Sequence, residues 1–265
     1  MATTTWGAGE YPLMGQRLKG AAQRVVDLAR VAPGDRVLDI ACGTGNAALM
    51  AAAREGAVVG VDFEPALLEV ARARAAELDL AIDWREGDAL ALPVADGAFD
   101  AVVSVFGIMY AIDQAAAAAE LARAAAPGAR VVLASWSPGS FMPAMGGALA
   151  PFLPAPPEGR SPARWGDPAA VGELLAGAGL APGDAHSETV ELSFEDRLSA
   201  VAFLVRTAGH VVAERPRLEA EGRWSQLLAA LAALVTERNT GADGGVTLRL
   251  DYLVATARRA AQRRL

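Results

Sequence analysis

The stretch Val37-Leu38-Asp39-Ile40-Ala41-Cys42-Gly43-Thr44-Gly45-Asn46 decides how this chain is read. An apolar run with a carboxylate near its end reads as a buried strand, Gly43-Thr44-Gly45 as a tight turn, and Asn46 as the start of an Ala-rich helix. A strand, Gly-rich turn and helix in that order bring backbone close to a nucleoside-bearing ligand at the strand's end. A Gly-x-Gly turn alone is a weak signal. Here the next apolar run, Val58-Val59-Gly60-Val61, ends in Asp62, so two successive strand ends carry an acid, which is a stronger pattern.

At 265 residues the chain is read as one domain spanning 1–265, large enough for a sizeable core. Its single cysteine, Cys42, rules out an internal disulfide and fits a reducing cytosol. The segment Met1-Ala2-Thr3-Thr4-Thr5 lacks the basic and apolar regions of a secretory leader. The longest apolar stretch, 101–112, falls short of the ~20 residues that span a bilayer. A cytoplasmic protein without membrane insertion is expected. The net charge of −7 disfavours nucleic acid as a partner. The basic tail Arg258-Arg259-Ala260-Ala261-Gln262-Arg263-Arg264 is read as a frayed, solvated terminus.

Working outward, 1–30 is an N-terminal helical segment and 31–136 a core in which strands alternate with helices. Strands are expected at 36–40, 58–61, 82–85, 99–105 and 131–134, with Pro127-Gly128 stopping the helix before the last of them. This alternation predicts a parallel sheet with helices on both faces. The stretch 137–167 holds Pro138, Pro143, Pro151, Pro154, Pro156, Pro157 and Pro162 and reads as a long irregular connection. The alternating runs 187–194 and 246–257 read as closing strands, and 168–195 with 246–257 as the end of the sheet. Two helical stretches, 196–214 and 224–238, fall between those strands, and 196–245 is read as a cap inserted over the sheet's edge.

Asp39 can accept from an ammonium or a ribose but repels a pyrophosphate. Gly43 and Gly45 let backbone approach a ligand closely. Asp62 can take both hydroxyls of a ribose, Phe63 offers a ring face to adenine, and Asp88 can accept from the adenine amino group. Ala89 and Leu90 supply backbone and an apolar wall. Each Asp taken alone is an ordinary turn acid or helix cap; their recurrence at successive strand ends points to a ligand.

Val37–Asn46, the strand ending in Asp62, Gly87-Asp88-Ala89 and Phe99-Asp100-Ala-Val-Val-Ser-Val-Phe-Gly107 together resemble class I S-adenosylmethionine-dependent methyltransferases, over about residues 31–136. Phe106-Gly-Ile-Met-Tyr110 and Ala134-Ser-Trp136 with its Pro-rich sequel resemble the small-molecule branch, quinone-type and natural-product enzymes of bacteria. The resemblance implies a Rossmann-like seven-stranded, mostly parallel sheet with an antiparallel last strand. It implies methyl transfer from S-adenosyl-L-methionine, leaving S-adenosyl-L-homocysteine, to a small, largely apolar acceptor, in bacterial secondary metabolism. Asp39 and the Gly43/Gly45 turn would hold the methionyl end, Asp62 the ribose, Asp88 and Ala89 the adenine, with Asn46 a further cofactor-binding residue. Val105 or Phe106 would border the sulfonium. Ala41 stands where the family has its first glycine. Phe106, Met109, Tyr110 and Trp136 are candidate acceptor-pocket residues.

Gly43-Thr-Gly45-Asn-Ala-Ala48 also satisfies a dinucleotide fingerprint, for an NAD(P)-dependent oxidoreductase. Asp39 beside a pyrophosphate, the lack of any Tyr-x-x-x-Lys, and an antiparallel closing strand oppose it. A protein that binds the sulfonium cofactor without transferring methyl, as a cyclase or a subunit, is a further alternative. The end of strand four lacks the Asn/Asp-Pro-Pro-aromatic motif of amino-group methylation, and Cys42 lies inside the cofactor turn, unsuited to attack cytosine. Two histidines without ligand-spaced carboxylates give no metal site. If the acceptor needs a base, His210 and Tyr11 are the candidates, with His186 and Tyr110 behind them.

Overall fold

A computed structural model describes residues 6–155, 161–242 and 244–261. Met1–Thr5, Pro156, Pro157 and Arg263-Arg264, on which part of the reading above rests, lie outside the described residues. Among the described residues the strands are β1 (Arg36–Ile40), β2 (Ala57–Asp62), β3 (Ile82–Glu86), β4 (Phe99–Val105), β5 (Ala125–Trp136), β6 (Leu180–Phe194) and β7 (Val246–Arg259). They form one seven-stranded sheet in the order β3-β2-β1-β4-β5-β7-β6. The first five strands run parallel, and β7 lies antiparallel between β5 and β6. From β1 the chain winds outward to β3 and then returns to β4 on the other side. That reversal leaves a crevice beyond the C-terminal ends of β1 and β4, where open α/β sheets bind ligands.

The helices are α1 (Tyr11–Arg17), α2 (Lys19–Ala29), α3 (Asn46–Ala52), α4 (Pro65–Glu77), α5 (Gln114–Ala124), α6 (Phe141–Leu149), α7 (Pro168–Gly177), α8 (Arg197–Thr207), α9 (Gly209–Ala220) and α10 (Trp224–Arg238). Val37, Leu38, Ile40, Ala101, Val102 and Val103 are all but fully buried, as strands covered on both faces require. Helices α8–α10 fall between β6 and β7. Among the described residues no helix is long and apolar enough to cross a membrane.

Four local expectations are corrected. The Pro-rich stretch 137–167 is not wholly irregular: it contains α6, with Pro143 in the first turn, where no intrahelical N–H is needed, and Phe141, Met145 and Leu149 buried on one face. Pro127 and Gly128 do not form a loop after α5 but lie inside β5, at an irregularity where Phe99 and Ala101 pair with Ala125 and Arg130. A proline is tolerated in a sheet at such a bulge. The segment 196–245 holds three helices, not two, because Ala208 turns to an extended conformation and Gly209 restarts the helix. Arg258 and Arg259 are not frayed but end β7. Nη1 of Arg259 donates to the carbonyls of Ala122 at 2.7 Å and Arg123 at 3.1 Å, and to that of Ala125. A cation there satisfies the last carbonyls of α5.

Candidate active site at the ends of β1, β2 and β4

Residues 41–45 turn the chain from β1 into α3. Gly45 sits at φ +83° and has no side chain to cap the helix. Asp39, one residue before the strand's end, does so instead: its Oδ2 accepts from the backbone N–H of Ala48 at 2.9 Å. A Cβ on Gly45 would lie 2.5 Å from the Trp84 ring, so the turn is also packed too tightly for a side chain. Ala41, where the family carries glycine, holds φ +53°. That is the left-handed region in which glycine is the default and a methyl costs about 1 kcal/mol.

Asp62 ends β2 and binds back to this turn. Its Oδ2 accepts from the N–H of Gly43 at 2.7 Å and its Oδ1 from the N–H of Glu64 at 2.9 Å. Each oxygen keeps a second lone pair for a ligand hydroxyl. Burial raises the Asp62 carboxyl above its ordinary range, and the backbone bonds offset part of that rise. Asp39 is 1% exposed. Burial pushes its carboxyl up to about 7, the Ala48 bond pulls it down, and the charge of Asp62 adds to the rise. A buried acid so poised favours a cationic partner.

The end of β4 closes the other wall. Ser104 is fully buried; its Oγ donates to the Ile40 carbonyl at 2.7 Å and accepts from the Ile108 N–H at 3.1 Å. This staple joins the ends of β1 and β4 and leaves Phe106 at φ +58°. Phe106 lines the cleft together with Asp39, Ala41, Val105 and Tyr11, and the enclosed volume is about 30 Å³. Behind Phe106, Trp136 stacks on its ring at 3.6 Å between centroids, and Tyr252 meets it edge-on at 5.3 Å.

Helix α1 forms the roof. The Tyr11 ring lies over Gly43, 3.5 Å from where a Cβ would stand. Trp6, in the turn 6–8 before α1, contacts Tyr110 at 5.0 Å, His210 at 6.0 Å and Tyr11 at 6.2 Å between ring centroids. Burial, then the charges of Tyr110, Asp62 and Asp39, hold the Tyr11 hydroxyl far above its ordinary range. Tyr110 is 41% exposed as a residue, and desolvation at its hydroxyl end pushes it up to about 12, with the neighbouring Trp136 indole offsetting part of the rise. Burial holds His210 below its usual value. Among the described residues no group of His, Cys, Asp and Glu is placed to hold a metal ion.

Residues 37–128 match the family described as the methyltransferase domain. Over that stretch the chain is similar to methyltransferase domains. It is 39% identical over 172 residues to an uncharacterized protein of Mycobacterium tuberculosis, 64% of this chain and 63% of that one. It is 44% identical over 138 residues to demethylmenaquinone methyltransferase of Thermus thermophilus, 49% of this chain and 63% of the relative. These alignments thus span under two thirds of the relatives' own length. The YcgJ protein of Bacillus subtilis superposes with a TM-score of 0.64 at 18% identity, covering 91% of this chain and 98% of that one, which shows the fold alone.

Within this methyltransferase fold the sequence-expected residues divide. Asp39, Ala41, Asn46, Val105 and Phe106 line one cleft, with Gly43 under Tyr11 at its edge. Phe63, 42% exposed, presents its ring beside Asp62. Asp88 is exposed, and its Oδ1 accepts from the Leu90 N–H at 2.9 Å, so it shapes the turn that carries Ala89 and Leu90. One pocket expectation is corrected. Met109 is 2% exposed and belongs to the core, the commoner use of methionine. Trp136 stacks behind Phe106 and its indole reaches Tyr110. Gly15, Leu18, Thr44 and Ala47 line the cleft unforeseen, as does the Cys42 thiol, which burial and the charges of Asp39 and Asp62 push up and so keep protonated. The short α1 carries no chemical signature of its own.

Proposed function

We propose that this chain transfers the methyl group of S-adenosyl-L-methionine to a small, largely apolar molecule enclosed beneath α1 and the cap. The observation that carries the reading is Asp39. It is a buried acid at the reversal point of the sheet, acted on by burial, one backbone N–H and another acid. A ligand bearing an ammonium and a sulfonium supplies the missing positive charge, whereas a dinucleotide's pyrophosphate would meet Asp39 and Asp62 with like charge. The donor set fits: two carboxylates at successive strand ends, a glycine turn with no room for side chains, and the Phe106 and Tyr11 rings beside a cationic centre.

Bound there, the cofactor supplies an electrophilic methyl. The chain's own work is holding and excluding. Asp39 takes the ammonium, Asp62 the ribose hydroxyls, and Phe63 covers the adenine. Asp88 orders the loop whose Ala89 and Leu90 flank that ring. Trp6, Tyr11 and Tyr110 exclude water and wall the acceptor. In-line positioning of acceptor and methyl supplies most of the acceleration. His210, held neutral by burial, takes the acceptor's proton where a hydroxyl or acidic carbon is methylated; both tyrosine hydroxyls are too basic to ionise near neutral pH and stay donors. The Thermus relative is named for demethylmenaquinone, which supports a quinone-type apolar acceptor here.

Calorimetry tests the reading first. S-adenosylmethionine and S-adenosylhomocysteine should bind and NAD should not; NAD binding without sulfonium binding sinks it. Asp62→Ala should weaken cofactor binding about 30- to 100-fold, since two ligand bonds and the tie to Gly43 go together. An unchanged dissociation constant removes Asp62 from the site. His210→Gln should lower kcat about 10- to 100-fold with cofactor affinity intact, and should erase an acidic limb lying below pH 6.5 in the rate profile. A profile of unaltered shape assigns the base elsewhere.

A further inference from the structure

Asn46, expected from the sequence to touch the cofactor, has both ends of its amide engaged within the protein. Its Nδ2 donates to the Gly15 carbonyl in α1 at 2.7 Å, and its Oδ1 accepts from Nη2 of Arg74 at 3.0 Å. Arg74 stands in the last turn of α4. Its Nη1 donates to the Thr44 carbonyl at 2.5 Å and to Thr44 Oγ1 at 3.2 Å. One half-buried guanidinium therefore grips the Gly-rich turn and, through Asn46, the roof helix. It forms no ion pair among the described residues, and desolvation lowers its pKa.

The roof itself is close-fitting. A Cβ on Gly15 would stand 3.1 Å from Thr44 Oγ1, so α1 lies directly on the turn. The cleft beneath has a volume of about 30 Å³, and Tyr11 and Gly15 of α1 line it, so the end of a ligand that enters it packs against α1. Its leading end is held by the Glu10 N–H on the Arg206 carbonyl at 2.9 Å and by the Gly7 N–H on Glu64 Oε2 at 3.3 Å. Its trailing end is held to the turn by Asn46.

We propose that Arg74 is a positioning residue: acting through Asn46, it latches α1 over the cofactor turn and so limits how fast the roof opens. This rests on the cofactor reading above for its kinetic consequence, but the latch can be measured without any ligand.

The experiment is hydrogen exchange on the α1 amides of the ligand-free protein, for the parent, Arg74→Gln, Asn46→Ala and the double variant. Each single change should speed exchange at residues 14–17 about tenfold, the worth of one charge-assisted hydrogen bond, and the double variant should add nothing further. The parent's release of S-adenosylhomocysteine, followed by stopped flow, should quicken by a similar factor in each variant. Exchange within twofold of the parent in both single variants, or fully additive effects, overturns the latch. So does a fall in thermal midpoint with α1 protection unchanged, which would make Arg74 a plain buttress of the turn. Gly15→Ala, which wedges α1 from the turn without touching Arg74, guards against misfolding of the arginine variant and should reproduce its exchange. If the parent fails to bind S-adenosylhomocysteine, the cofactor reading falls while the exchange result still decides the latch.

Discussion

Asp39→Asn should weaken binding of S-adenosylmethionine at least about 100-fold while making the ligand-free protein more stable at neutral and alkaline pH. Both effects come from one cause. Replacing the carboxylate removes a buried charge that a ligand ammonium would pair with, a contact on the order of 3 kcal/mol. The same charge is a burden when unpaired. The carboxyl is raised from 3.8 to about 7 in the folded protein. Between those values the unfolded chain has released its proton and the folded one has not, so stability falls as pH rises from about 4 to about 7 and levels off above. The amide escapes this penalty and still accepts from the Ala48 N–H. Denaturant unfolding of the two proteins should agree near pH 4 and differ by on the order of 2–4 kcal/mol at pH 8, the variant being the more stable. Cofactor affinity in the parent should climb about tenfold per pH unit below 7, since only ionised Asp39 pairs with the ammonium. A parent dissociation constant flat between pH 5.5 and 7 would break the link between Asp39 and the ligand's charge.

That trade was partly visible in the sequence and partly not. Asp39 could be placed at a strand end because Val37-Leu38-Asp39-Ile40 is a buried run before a glycine turn, and a strand's period and a turn's chemistry are local. The same locality made β1, β2 and β4 readable to within a residue or so, and the antiparallel β7 readable from the alternation of Val246, Leu248 and Leu250. What failed was of two kinds. Proline reads as a stop signal at 127 and throughout 137–167, yet one proline sits in a bulge and another in a helix's first turn, the two contexts that forgive it. The second kind is non-local. Nothing around Asn46 tells that its amide is shared between Gly15 and Arg74, 31 and 28 residues away in the chain. Nor does any pattern near Trp6 announce that it meets Tyr110 and His210. The donor side of the site is written in strand ends and was legible; the roof and acceptor wall are made by tertiary contact among short helices.

The last residue to test lies where the two strand ends touch. Gly107→Ala should destabilise the protein by about 3 kcal/mol and cut cofactor affinity at least tenfold. The backbone conformation is not the obstacle, since Gly107 has φ −105°. The obstacle is contact: a Cβ there would lie 2.4 Å from the Ala41 Cβ and 2.6 Å from the Ala41 carbonyl oxygen. Backbone cannot step aside as a flexible side chain can, and overpacking of this kind costs roughly 1–3 kcal/mol. Relief requires the β4 turn to part from the β1 turn. The Ser104 staple opposes that, as does the left-handed geometry already imposed on Ala41 and Phe106. Both of those residues line the cleft, so any relief re-aims the wall that faces the cofactor. Gly146→Ala provides the contrast. That glycine lies inside α6 with nothing within 4 Å of its would-be Cβ, and alanine there should stabilise by about 0.5–1 kcal/mol with affinity unchanged. Thermal unfolding and calorimetry on the two variants separate the claims. If Gly107→Ala binds cofactor as the parent does while losing stability, the junction is a structural knot alone. If it loses neither, the ends of β1 and β4 have slack that the close approach of Ala41 and Gly107 denies.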